Sequence, residues 1–254
     1  MSLANLHRDH RVKVEIQDRI AVVTIDRPER KNAIDSAVHR GLEIAFHELS
    51  YHPDVRVIVL TGAGDAFCAG GDTKDYGVGT PLENLRNRDL PWSIARCEAP
   101  TVAAINGPAR GLGASIALLC DISYLADTAS IGDVHTQWGL PAGDGGQVIW
   151  PLLIGLNRAK EILMRGSVLD AAEAGRIGLV NHVVPAADLM NEAMACARDI
   201  AERPPTGVRW TKLAINKMLF EQMNLNLEFG LLSEFMVGQG ANNLGDVKRR
   251  EEAS

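Results

Sequence analysis

A chain of 254 residues, 46% apolar and 23% charged, has the balance of an ordinary globular protein and the length to bury a substantial core, which excludes disordered and fibrous classes. Its 26 Lys and Arg against 32 Asp and Glu give a net charge of -6 without a basic run, so nucleic acid is not the expected partner. No stretch of eighteen uninterrupted apolar residues and no apolar leader core stands out, and a cytoplasmic protein without membrane attachment is expected.

Ile20 to Ile25 (IAVVTI) is the first short, nearly continuous apolar run and predicts a strand covered on both faces. Asp35 and Ser36 then precede Val38, Leu42, Ala45, Phe46 and Leu49 at helical spacing, which predicts a capped helix. Further strands are predicted at Val55 to Thr61, Thr101 to Ile105, Ile122 to Ala126 and Val180 to Val184. From Ala187 onward the patterns are helical: Met190, Ala193, Met194, Ala197, Ile200 and Ala201 share a face, and Pro204-Pro205 reads as a turn or a helix restart. The expected organisation is an α/β core over residues 1–186 followed by a helical region over 187–254. Cys68, Cys97, Cys120 and Cys196 are scattered, which fits reduced thiols, and Asp72, Asp75, His135 and Asp144 share no ligand spacing, so no metal is expected.

Glycines cluster after two of these strands, in "TGAGDAFCAGGDTKDYG" and in "INGPARGLGAS". A Gly-rich bend that opens a helix leaves backbone N–H groups pointing outward, ready for a phosphate or an oxyanion. Neither stretch is GxGxxG or GxxxxGK[ST], so the dinucleotide and P-loop readings fail on spacing.

The set "VTIDRPERKNAID", "VIVLTGAGDAFCAGGD", "PTVAAINGPARGLGASIALLCD" and "GLVNHVV" resembles the enoyl-CoA hydratase/isomerase (crotonase) superfamily, from about Val12 to the C-terminal helices. The resemblance implies a β-β-α spiral core and a helical C-terminal region that trims the active site and supports homotrimers, often paired into hexamers. It implies an oxyanion hole made by the N–H groups of Gly71 and Leu112, holding a thioester oxygen as it becomes an enolate or a tetrahedral oxyanion. It also implies a coenzyme A groove along Arg30, Lys31 and Ala33 and along Ala69, Thr73 and Lys74, where basic side chains suit phosphates. Coenzyme A then arrives as part of an acyl-CoA substrate, and no separate cofactor is implied.

Family hydratases act through two carboxylates, at the positions held here by Ser115 and His135. Ser115 reads as a cap or a packing residue unless the site uses its hydroxyl. His135 can take and return a proton near neutral pH from the position of the second carboxylate. Asp144, nine residues on, is its expected orienter, or else the cap of the helix beginning "GGQVIW". Asp133 reads as a loop cap or a substrate contact, and Trp138, three residues after His135, as a wall of the acyl pocket.

"PAGDGGQVIWPLLIGLNR" with His135 also resembles the oxocamphor and β-diketone hydrolases of the same fold, in which a C-terminal glutamate, here Glu234, completes the catalytic set. Those enzymes carry another histidine near the second glycine loop; "GLGAS" has none, which favours a thioester. The expectation is a hydratase/isomerase-type lyase or isomerase with His135 as base and Asp144 as its orienter, weak on simple enoyl-CoA because both glutamates are replaced. A retro-Claisen C–C hydrolase and a non-catalytic acyl-CoA-binding protein are the alternatives.

Overall fold

The β-branched runs assemble into one sheet in the computed structural model, which describes residue 3, residues 6–72, residue 74 and residues 80–239, apart from the side chains at 83 and 239. The strands are β1 (Val12–Gln17), β2 (Ile20–Ile25), β3 (Val57–Gly62), β4 (Thr101–Ile105), β5 (Ala109–Arg110), β6 (Ile122–Ala126), β7 (Ser130–Gly132), β8 (Val168–Asp170) and β9 (His182–Val184). The helices are α1 (Leu6–His10), α2 (Ser36–Ser50), α3 (Pro81–Leu85), α4 (Asp89–Arg96), α5 (Leu112–Leu119), α6 (Gly146–Ile154), α7 (Leu156–Arg165), α8 (Ala171–Arg176), α9 (Leu189–Glu202) and α10 (Pro205–Gln239).

The large sheet has the order β1-β2-β3-β4-β6-β9 and is parallel except for β1, while β5-β7-β8 form a small second sheet. Bridges between Ile34 and Gly71 and between Cys68 and Ala109 extend the second layer beside β5 and β7. Successive turns of chain thus leave one segment in each layer: β2 with Ile34, β3 with Cys68 to Gly71, β4 with β5, and β6 with β7. That is a β-β-α spiral, and both glycine loops lie where the chain crosses from the large sheet to the small one.

Every residue of β3 and β4 is buried, as strands covered on both faces require. The Asp35 side chain accepts a hydrogen bond from Val38 N–H at 2.9 Å and caps α2, as predicted. Two strand boundaries move: Val55 and Val180 lie two residues before their strands, which begin at Val57 and His182. β1 is absent from the sequence expectation because it is an edge strand with Lys13, Glu15 and Gln17 interleaved, and β5 is too short to show a period.

Pro205 opens α10, a position at which proline costs no hydrogen bond, so the Pro204-Pro205 pair marks a helix restart. With 35 residues the helix runs about 50 Å. Lys212 fixes its first third: the buried ammonium lies 2.8 Å from Asp121 Oδ2 and donates to Ala99 O at 2.9 Å. Among the described residues no helix is long and apolar enough to cross a membrane.

Candidate active site

The two glycine loops run side by side, tied by backbone bonds. Cys68 N–H donates to Pro108 O at 3.1 Å, and Arg110 N–H donates to Cys68 O at 3.0 Å. Gly70 has a φ of +100°, and a Cβ there would stand 2.9 Å from Arg110 O and 3.8 Å from Leu112 N, so only glycine allows this approach. In the bridge beside Gly71, Ile34 N–H donates to Gly70 O and Asp72 N–H to Ile34 O, both at 2.8 Å. Leu112 opens α5 behind Gly111, which supplies no side-chain cap. Neither the Gly71 nor the Leu112 N–H is taken by another described residue. Two donors on adjacent loops, one of them at a helix N-terminus, suit an oxygen that gains negative charge.

The segments expected to face coenzyme A also meet. Ala69 N–H donates to Lys31 O at 2.9 Å, which joins the stretch from Arg30 to Ala33 to the one that begins at Ala69. Arg30, Lys31, Ala69 and Lys74 are exposed, and Ala33 is buried at the junction. The Arg30 guanidinium is partly committed to Asp72, at 3.5 Å, and Asp72 is held more closely by Arg27 at 2.8 Å. The Arg27 guanidinium and the Lys74 N–H lower the Asp72 carboxyl below its ordinary value, so this anion anchors the loop. Thr73 and Asp75 lie outside the described residues.

Behind the second glycine loop sits a buried line of polar groups. His135 opens a short 3-10 turn that ends at Trp138, and its ring packs on the loop: a Cβ on Gly111 would stand 3.0 Å from His135 Cε1. Nδ1 lies 2.7 Å from Asp133 Oδ1, and Nε2 lies 3.2 Å from Asp144 Oδ2 and 3.7 Å from Glu234 Oε1. The Ser115 hydroxyl donates to Asp144 Oδ1 at 3.2 Å. Ser115, Asp133, His135, Asp144 and Glu234 are all buried. Burial alone disfavours charge on the ring, but the Asp144 and Asp133 carboxylates outweigh it and raise His135 well above its ordinary 6.5.

Several expectations change on this geometry. Carboxylates on both ring nitrogens favour the protonated ring, so the environment suits His135 to giving a proton as well as to the base role read from sequence. Asp144 does not cap α6: Gly145 is the cap position and no side chain bonds there. It faces Nε2 while Asp133 takes Nδ1, so the tighter contact comes from the residue whose sequence reading was a loop cap or a substrate contact. A carboxylate two residues before a histidine was the available signal. Ser115 does not cap α5; it lies inside the helix and serves Asp144. Glu234 does reach the histidine from α10, and Trp138 is half-buried at the end of the same turn.

Asp133, His135 and Asp144 offer ligand atoms within 4.8 Å of one another. The two carboxylates occupy opposite nitrogens of one ring, which makes a hydrogen-bonded line and not donors converging on one point, so the arrangement suits proton transfer.

Comparison with known proteins identifies the family. The family model for enoyl-CoA hydratase/isomerase matches residues 15–236. A probable enoyl-CoA hydratase of Mycobacterium bovis is 37% identical over 226 residues, covering 88% of this chain and 86% of that protein. The crystal structure of an enoyl-CoA hydratase/isomerase from Mycobacterium paratuberculosis superposes with a TM-score of 0.89 at 36% identity, over 94% of this chain and 98% of that one. A monofunctional enoyl-CoA isomerase from M. smegmatis superposes at 0.73 and 32% identity, over 83% of this chain and 94% of that one. The chain has the crotonase fold and belongs to the enoyl-CoA hydratase/isomerase family.

Proposed function

We propose that the protein acts on an acyl-CoA thioester, adding water to an enoyl group or moving its double bond, with His135 as proton donor and Asp144 as proton acceptor. The observation that carries this is the placement of the His135 ring against the loop whose Leu112 N–H, like that of Gly71, has no described partner. In hydration, water adds to the β-carbon and gives its proton to Asp144. The thioester oxygen becomes an enolate oxygen and accepts from Gly71 and Leu112 N–H. His135 Nε2–H then protonates the α-carbon, and the proton on Asp144 returns to Nε2 across 3.2 Å. In isomerisation Asp144 takes the proton from a substrate carbon and His135 returns one at the other end of the allyl system. The Ser115 hydroxyl occupies Oδ1 of Asp144 and leaves Oδ2 for this exchange.

In this reading the edge joining Lys31 to Ala69 receives the coenzyme A moiety, with Arg30, Lys31 and Lys74 toward phosphates, and Trp138 walls the acyl group. Trp210, Ile215 and Met218 are exposed on α10, and an apolar groove of about 840 Å³ lined by Leu152, Leu153, Ile215 and Met218 supports self-association as a homotrimer or a dimer of trimers.

A second reading is favoured by Glu234, which joins His135 and Asp144 as the resemblance to β-diketone hydrolases implied. There water attacks one carbonyl and gives a proton to Asp144, the tetrahedral oxyanion collapses with cleavage of the C–C bond, the carbon leaving group departs as an enolate that His135 protonates, and the proton on Asp144 returns to Nε2. Turnover in oxygen-18 water of an enoyl-CoA panel and a cyclic β-diketone, by wild type and His135→Gln, separates the two. Label in a 3-hydroxyacyl-CoA, or a shifted double bond without label, lost in the variant, supports the thioester reading. Label in a keto acid from the diketone replaces it with C–C hydrolysis, and product formation unchanged in His135→Gln overturns both.

A further inference from the structure

We propose that Asp133 is a positioning residue for His135, holding the ring and keeping a proton on Nδ1 so that Nε2 alone exchanges protons with substrate and Asp144. The inference deepens the reading of His135 as the proton-transfer group and rests on it. One oxygen, Asp133 Oδ1, accepts from both the Nδ1–H and the backbone N–H of His135, at 2.7 and 3.2 Å, so the carboxylate clamps the ring and the turn that carries it. Asp133 is 1% exposed, and its Oδ2 has no hydrogen-bond partner among the described residues. That oxygen lies where the backbone of Gly146 makes room: a Cβ there would stand 2.3 Å from it. A buried carboxylate with one oxygen unserved needs an adjacent cation, and among the described residues the imidazolium of His135 is the cation within 4.0 Å.

The other described groups that face His135 come from other elements and meet its other edges. Asp144, from the loop before α6, and Glu234, from α10, face Nε2; the Ser115 hydroxyl of α5 reaches the ring through Asp144; the Gly111 backbone covers Cε1; and the Cys68 thiol lies near Asp144. Asp133 therefore governs the Nδ1 edge. When Nε2–H leaves for the substrate, the ring retains Nδ1–H because Oδ1 accepts it, and the lone pair is left on Nε2, 3.2 Å from the oxygen that returns the proton.

The test is nitrogen-15 NMR of histidine-labelled full-length protein, with His135 picked out from the seven histidines by its absence in His135→Gln. In Asp133→Asn the titration midpoint of His135 should fall by about 1 to 3 pH units, the effect of removing an opposite charge at this range. In wild type the neutral ring should be the Nδ1–H form. An unchanged midpoint in the variant, or an Nε2–H neutral ring in wild type, overturns the proposal; the wild-type tautomer decides alone if Asp133→Asn does not fold. The readout needs no substrate. The predicted NMR response in a protein that converts neither enoyl-CoA nor diketone would therefore leave the role of Asp133 standing and remove the functional reading instead.

Discussion

Gly230, in the last third of α10, lies so close to Gly143 that a Cβ on Gly230 would stand 2.7 Å from Gly143 O and 2.0 Å from Gln147 Nε2. The reverse holds as well: a Cβ on Gly143 would meet Gly230 O at 2.4 Å and Glu234 Oε2 at 2.7 Å. Two glycines let the long helix rest directly on the loop that carries Asp144. Glu234 is four residues beyond Gly230, hence on the same face of the helix, and this is what brings its carboxylate to His135.

Replacing Gly230 with Ala should lift α10 from that loop. The overpacking costs about 1 to 3 kcal/mol, enough to lower the melting temperature by several degrees, and withdraws Glu234 from His135, so kcat should fall as well. Gly207, also in α10, has open space around its Cα, so Gly207→Ala should be neutral or stabilising by up to about 1 kcal/mol. Thermal melts of both variants with parallel turnover assays check the pair; equal behaviour of the two would mean that the contact between Gly230 and Gly143 does not seat the helix.

The strands β2, β4 and β6 could be read from sequence to the residue because each is an apolar run buried on both faces, and burial on both faces is what a parallel sheet imposes. The small sheet could not, since segments of two or three residues carry no period. At the site, the resemblance placed Gly71, Leu112, His135, Asp144 and Glu234 on the chain, but it did not reveal which ring nitrogen each carboxylate meets. That depends on the dihedral angles of a tight turn and on the helix that approaches from 90 residues away, and neither leaves a spacing signal. Gly230 left no distinguishing one either, since Gly207 sits in the same helical pattern with open space around it. Nor does the upward shift of the His135 ionisation follow from residue type, since it comes from two carboxylates that the fold alone brings to opposite edges of one ring.

Leu112 offers a way to delete an oxyanion donor without disturbing a helix. It is the first residue of α5, where proline is tolerated and its missing N–H breaks no intrahelical bond. Leu112→Pro should therefore retain the fold while lowering kcat about 100- to 1000-fold, the loss seen when one such donor is removed. Steady-state kinetics alongside circular dichroism would test it. A folded variant with wild-type kcat would show that the Leu112 N–H does not serve the reaction.

The raised ionisation of His135 makes a statement about stability whose sign is fixed. A group whose native pKa exceeds its unfolded value stabilises the native state fully at pH below the unfolded value, here about 6.5, where both states hold the proton. As pH rises from there toward the native value, the unfolded chain releases its proton while the native protein keeps it, and the increment is lost; above the native value it is gone. The stability gap between wild type and His135→Gln should thus be widest between about pH 5 and 6.5 and should narrow as pH rises above about 6.5. The remaining histidines are common to both proteins and cancel in the difference, including the half-buried His39, whose ionisation shifts downward through desolvation. Urea melts of the two proteins at half-unit pH steps measure the gap directly. A gap that widened with pH would mean that His135 is buried neutral, with Asp133 and Asp144 failing to hold its charge, and the acid role assigned to the ring would fall with it.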